Sequence, residues 1–62
     1  MLDVKVLIGL SKEAAEEKVV ELKGVVRVIA EDGEQFMHTT DMRSDRVNLE
    51  IVKGKIVKAF LG

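Results

Sequence analysis

The sequence predicts an α+β fold in which a single helix packs on a small mixed β-sheet and a long exposed loop joins two parallel strands. Three observations lead there. A capped, amphipathic stretch fits a helix over residues 12–23. Apolar runs over residues 25–30, 47–52 and 56–60, rich in Val, Ile and Leu, have the composition and spacing of strands. Between the first two runs lie mostly polar residues without a regular period. An irregular connection of that length is uncommon in a compact domain and is usually functional or disordered.

The totals bound the answer. Residues 1–62 make one domain, near the lower limit at which a chain folds without staples. There is no cysteine, hence no disulfide framework and no thiol chemistry, and the redox compartment stays open. The lone His38 leaves no His/Cys set for zinc. Valine is the commonest residue and aromatics make up only 3% of the chain, so Val, Ile and Leu must supply the core. Ten basic against eleven acidic side chains give a net charge of −1, which argues against a nucleic acid or a membrane held by bulk charge. No apolar stretch approaches the length that spans a bilayer. Met1-Leu2-Asp3 does not resemble a secretory signal; a secreted or periplasmic location would require one to have been removed.

In chain order, Val4-Lys5-Val6-Leu7-Ile8 alternates until Gly9 and reads as a short strand or extended arm. Ser11 is placed to cap the helix, because its hydroxyl can accept from an unpaired first-turn N–H, worth about 1 kcal/mol. Glu13 suits the positive end of the helix dipole. Ala15, Val19 and Leu22 fall on one stripe expected to be buried, and Gly24 is expected to take the left-handed C-terminal cap. Residues 25–30 are apolar on both parities apart from Arg27, as in a central strand, and Asp32-Gly33 marks a bend. Val47, Leu49 and Ile51 alternate inward, and Lys53-Gly54 is a two-residue hairpin signal leading to an antiparallel return. If the two central strands are parallel neighbours, the connection must cross the sheet from end to end, which extended chain can do at about 3.3 Å per residue.

That connection lacks the Pro, Gly and Ser enrichment of a linker and carries Phe36, Met37, Met42 and an Asp45-Arg46 pair. It reads as an ordered, exposed loop built to be bound. Two segments resemble the potato inhibitor I family of serine-protease inhibitors. Leu7-Ile8-Gly9-Leu10-Ser11 runs into a Glu/Ala-rich helix, similar to the family's L-V-G-K-S-x-E-E-A. Thr39-Thr40-Asp41-Met42-Arg43-Ser44-Asp45-Arg46-Val47-Asn48-Leu49 is similar to T-[ML]-[ED]-[YL]-R-x-[DN]-R-V-x-[LV]. The first segment is a common kind of helix entry; the second is more specific, and together the likeness spans residues 7–62. Its Arg-Val-Asn-Leu ending resembles microbial relatives that lack the second supporting arginine.

The resemblance implies a reversible, substrate-like inhibitor of a serine endopeptidase, with no catalysis and no cofactor. The reactive bond would be Thr40–Asp41, preceded by His38 and Thr39 and followed by Met42 and Arg43. Thr40 would enter the protease's primary pocket. Because the family usually has a large apolar residue there, an elastase-like or subtilisin-like target is expected in place of a chymotrypsin-like one. Arg46 corresponds to the family's loop-supporting arginine, and Asn48 stands where a second would be. Such a loop must be rigid before it binds, since fixing each residue costs about 1–2 kcal/mol. With no disulfide available, charge-assisted hydrogen bonds from Arg46 toward Asp41 and the Thr39 region, at about 1.5–3 kcal/mol each, are the expected brace.

Plainer readings stand beside these. An arginine opening a strand is ordinarily solvated, Asp41 alone reads as a turn residue, and Asp45 as a stabiliser of its own backbone. His38 reads as an exposed loop residue, Ser44 has no context as a nucleophile, Phe36 is assigned to the core, and Glu31, Asp32 and Glu34 to a solvated turn rather than a calcium site. Lys53, Lys55 and Lys58 form a basic edge of the kind that deters strand pairing. The inhibitor reading expects a monomer with a serine protease as its protein partner. The alternative is a non-inhibitory interaction module of the same fold that pairs through a sheet edge at residues 4–8 and forms a dimer. A catalytic or ligand-binding domain finds no convergent nucleophile, base or metal set.

Overall fold

A computed structural model describes residues 3–37 and 41–62. Its elements are a 3₁₀ turn at Val4–Leu7, helix α1 at Lys12–Glu21, and strands β1 at Val25–Glu31, β2 at Glu34–Gln35, β3 at Arg46–Val52 and β4 at Lys55–Leu61. The strands form one mixed four-stranded sheet in the order β2-β1-β3-β4. β1 and β3 are parallel, and both outer pairings are antiparallel. This is the α+β fold the sequence predicts, with one helix on a small mixed sheet. Among the described residues no helix is long and apolar enough to cross a membrane.

The segment at residues 4–8 departs from the expected strand. Asp3 caps a 3₁₀ turn by accepting from the Lys5 N–H at 3.2 Å, and the turn drops Leu7 into the core. Alternation of Val and Lys over so few residues does not distinguish a strand from one tight turn, and the capping aspartate decides it here. The sheet edge proposed at residues 4–8 is therefore absent. Backbone hydrogen bonds to the sheet follow the turn, where Gly9 N–H donates to Ile56 O at 2.8 Å and Ile56 N–H donates to Leu10 O at 2.9 Å, alongside the start of β4.

Helix α1 begins as expected, with Ser11 Oγ accepting from Ala14 N–H at 3.2 Å. Ala15 and Val19 are buried, but Leu22 is 42% exposed. The helix stops at Glu21 and Leu22 is its C-cap, with φ −87° and ψ 9°, so its side chain leaves the helical stripe. The left-handed residue is Lys23, at φ 64°, and not Gly24. Gly24 N–H donates to Val19 O at 2.8 Å and Lys23 N–H to Val20 O at 2.9 Å, the paired bonds of a Schellman motif ending one residue early.

One face of the sheet meets α1 and the 3₁₀ turn. The core consists of Leu7, Ala15, Val19, Val47, Leu49, Ile51 and Ile56, flanked by Val26, Val28 and Leu61. Both hairpin turns place two successive residues at positive φ, Asp32-Gly33 (51° and 85°) and Lys53-Gly54 (51° and 77°), the geometry that matches strand twist. The parallel pairing puts both turns at the same end of the sheet. There Asp32 Oδ1 accepts from Lys53 N–H at 2.6 Å and Asp32 N–H donates to Ile51 O at 2.8 Å. The carboxylate of Asp32 thus ties one hairpin to the next.

Two outcomes follow from this packing. Leu49→Ala should cost about 2–5 kcal/mol of unfolding free energy, because a fully buried side chain leaves a cavity in a core this small. Lys23→Gly should stabilise by about 0.5–1 kcal/mol, since removing the Cβ relieves a left-handed conformation at a smaller entropic cost. Urea denaturation reads both.

Candidate functional site: a braced connection between parallel strands

β2 is short, and its pairing with β1 starts the chain on its return toward the N-terminal end of the parallel pair. Phe36 N–H donates to Ile29 O at 3.0 Å, extending that ladder by one bond. Phe36 is 37% exposed and so is no core residue: the ladder holds its backbone, while the α1 side of the sheet is already filled by aliphatic side chains. From there to Asp45 the described residues form no regular structure. His38, Thr39 and Thr40, three of the residues proposed to contact a protease, lie outside the described residues. On either side, Met37 and Met42 are almost wholly exposed.

The described end of the connection is held at several points. Arg46, the first residue of β3, is 8% exposed. Its Nη2 donates to the Asp41 carbonyl at 2.7 Å and lies 3.5 Å from Asp41 Oδ2. Its Nε donates to the Gly62 main-chain oxygen at 2.9 Å. One guanidinium therefore joins the connection to the end of β4. A buried arginine needs acceptors for its N–H fork, and among the described residues Arg46 finds them in Asp41, through its carbonyl and carboxylate, and in the main-chain oxygen of Gly62. Next in line, Arg43 forms a two-pronged pair with Asp45, Nε to Oδ1 at 3.1 Å and Nη2 to Oδ2 at 2.9 Å. The Asp45 carbonyl accepts from Val25 N–H at 2.8 Å. Asp45 thus steadies the return through the Arg43 guanidinium, where a bond to its own backbone was expected.

Asn48, two residues along β3 and on the same face as Arg46, is 2% exposed. Its Oδ1 accepts from Arg27 Nε at 2.7 Å, and its Nδ2 donates to Gly62 O at 3.3 Å with a longer contact to Phe60 O at 3.5 Å. Arg27 and Asn48 are register partners in the parallel pair. Neither Arg27 nor Gly62 was singled out from the sequence as a site residue. The available signal was the lone charge in the run at residues 25–30; its partner on β3 depends on a strand register that a sequence does not display. Beside these groups Met42, Arg43, Ser44, Leu61 and Gly62 line an open hollow of about 340 Å³.

No protein-family model, curated protein or solved structure matches this chain. The likeness to the potato inhibitor I family therefore rests on the two sequence segments quoted above.

The geometry ranks the two arginines of the connection. Arg43 and Asp45 are each about half exposed, so Arg43→Ala should change unfolding free energy by less than about 1 kcal/mol and by still less in high salt. Arg46→Ala removes a buried donor set and leaves the Gly62 oxygen without one of its partners, at a cost of about 1.5–3 kcal/mol. Equal effects in urea titrations would contradict this ranking.

Proposed function

We propose that this protein is a reversible, substrate-like inhibitor of a subtilisin-like or elastase-like serine endopeptidase, with Thr40–Asp41 as the reactive bond and His38, Thr39, Met42 and Arg43 as the flanking contacts. The observation behind this reading is Arg46. A substrate-like inhibitor has to hold the leaving side of its reactive bond after cleavage as well as before it. Here a buried guanidinium grips both the carbonyl and the carboxylate of Asp41 while anchored to Gly62. Exposed Met37 and Met42 flank the proposed bond, and unpartnered apolar side chains at such a place suit a protein partner. The partner is expected to cover about 1,600 Å² in total. No cofactor enters this reading. The edge-pairing alternative loses the strand at residues 4–8 on which it was based.

Titration against subtilisin, pancreatic elastase and chymotrypsin, with mass spectrometry of slow cleavage, tests the proposal. Tight inhibition of subtilisin or elastase and a single slow cut between Thr40 and Asp41 are expected. Rapid cutting at several bonds of the connection, with none of the three enzymes inhibited, would overturn it. Arg46→Ala should raise the inhibition constant about 10- to 100-fold, the equivalent of one or two charge-assisted hydrogen bonds, and make the chain a faster substrate.

A further inference from the structure

We propose that Arg27, working through Asn48, is a positioning residue for the reactive connection: a relay of hydrogen bonds runs from β1 to Asp41. The inference rests on the inhibitor reading for its functional consequence, but its structural content stands apart from it.

The relay can be followed atom by atom. Arg27 Nε donates to Asn48 Oδ1 at 2.7 Å. That bond turns the Asn48 amide nitrogen toward β4, where it donates to Gly62 O at 3.3 Å. The same oxygen accepts from Arg46 Nε at 2.9 Å, and Arg46 Nη2 holds the Asp41 carbonyl at 2.7 Å. Three strands and the connection are thereby joined through side chains on the sheet face away from the helix.

Asn48 is suited to this place because an amide both accepts and donates. An arginine at the same position could only donate. It would stand at the register partner of Arg27, where two cations side by side repel. With the guanidinium supplied from β1, the β3 position needs an acceptor facing Arg27 and a donor facing Gly62, and asparagine meets both needs. Gly62 fits the same scheme. A Cβ there would lie 3.1 Å from Asn48 Nδ2, tighter than ordinary van der Waals contact, so a side chain would push on the amide that the relay passes through. Near-complete burial of Asn48 shields its bond to Gly62 O from water, which strengthens it.

The deciding experiment measures amide order parameters for residues 41–45 by ¹⁵N relaxation in the wild-type chain, Arg27→Met, Asn48→Asp and Lys58→Met, alongside inhibition and cleavage assays. Asn48→Asp keeps an acceptor for Arg27 but withdraws the donor from Gly62; Lys58→Met removes a cation from the same sheet face outside the relay. In Arg27→Met and Asn48→Asp the order parameters should fall from about 0.85 toward 0.6, and in Lys58→Met they should not. Cleavage between Thr40 and Asp41 should quicken about tenfold in the first two, with an inhibition constant raised about 10- to 100-fold. Combining Arg27→Met with Asn48→Asp should add little to either, as expected of groups in one network. Unchanged order parameters in folded Arg27→Met and Asn48→Asp would overturn the relay. Should Arg27→Met not fold, Asn48→Asp decides by the same measure. A wild-type chain that inhibits no protease would defeat the inhibitor reading alone, because the order parameters still judge the relay.

Discussion

A guanidinium buried at the start of β3 sets the terms for the rest of this molecule. Removing a charge from water costs several kcal/mol unless acceptors surround it, and Arg46 is almost fully enclosed. Its acceptors come from Asp41 in the connection and from Gly62 beyond β4. The arginine therefore depends both on where the connection places Asp41 and on β4 running to its end. Losing either would take away part of what compensates the buried charge, so β3, the connection and the end of β4 are coupled through Arg46.

The topology explains why polar bonds have this role. Two parallel neighbours require a connection that returns along the sheet, and here an irregular segment makes the return where a helix usually would. Extended backbone crossing a sheet face cannot join the ladder, so its carbonyls and amides need side-chain partners. The chain has no cysteine, and α1 occupies the opposite face with most of the aliphatic core. Arginine, asparagine and the end of β4 remain as the supports. At the far end the Asp32 carboxylate serves the same purpose, binding the Lys53 N–H so that the two hairpins move together.

Features of the fold that rest on local periodicity were legible in the sequence. The Ser11 cap, the alternation of Val47, Leu49 and Ile51, and the Lys53-Gly54 turn all follow from residues close to one another. Departures arose where a tertiary or one-residue effect decided. The 3₁₀ turn at residues 4–7 replaced a strand because Asp3 closes a local bond that alternation does not reveal. Lys23 took the left-handed position expected of Gly24 because the helix ended one residue sooner, which also released Leu22 into solvent. Two-residue β2 offers too short a pattern to identify. At the site, Arg46 could be singled out because it fell on a specific motif, whereas Arg27 stood out only as a charge in an apolar run. Its partner is 21 positions away in sequence, and only the register of a parallel pair brings the two together.

Among the described residues, the supports on the Asp41 side of the proposed reactive bond fit the chemistry of substrate-like inhibition. When a serine protease cleaves its substrate, the acyl half stays attached to the enzyme and the amine half leaves, after which water completes hydrolysis. An inhibitor gains by keeping the new amine at hand, since a tethered nucleophile competes with water at a high effective concentration. With Thr40–Asp41 as the bond, that amine belongs to Asp41. Asp41 is the residue Arg46 holds, and the chain behind it is fastened again by the Arg43–Asp45 pair and by Asp45 O to Val25 N–H.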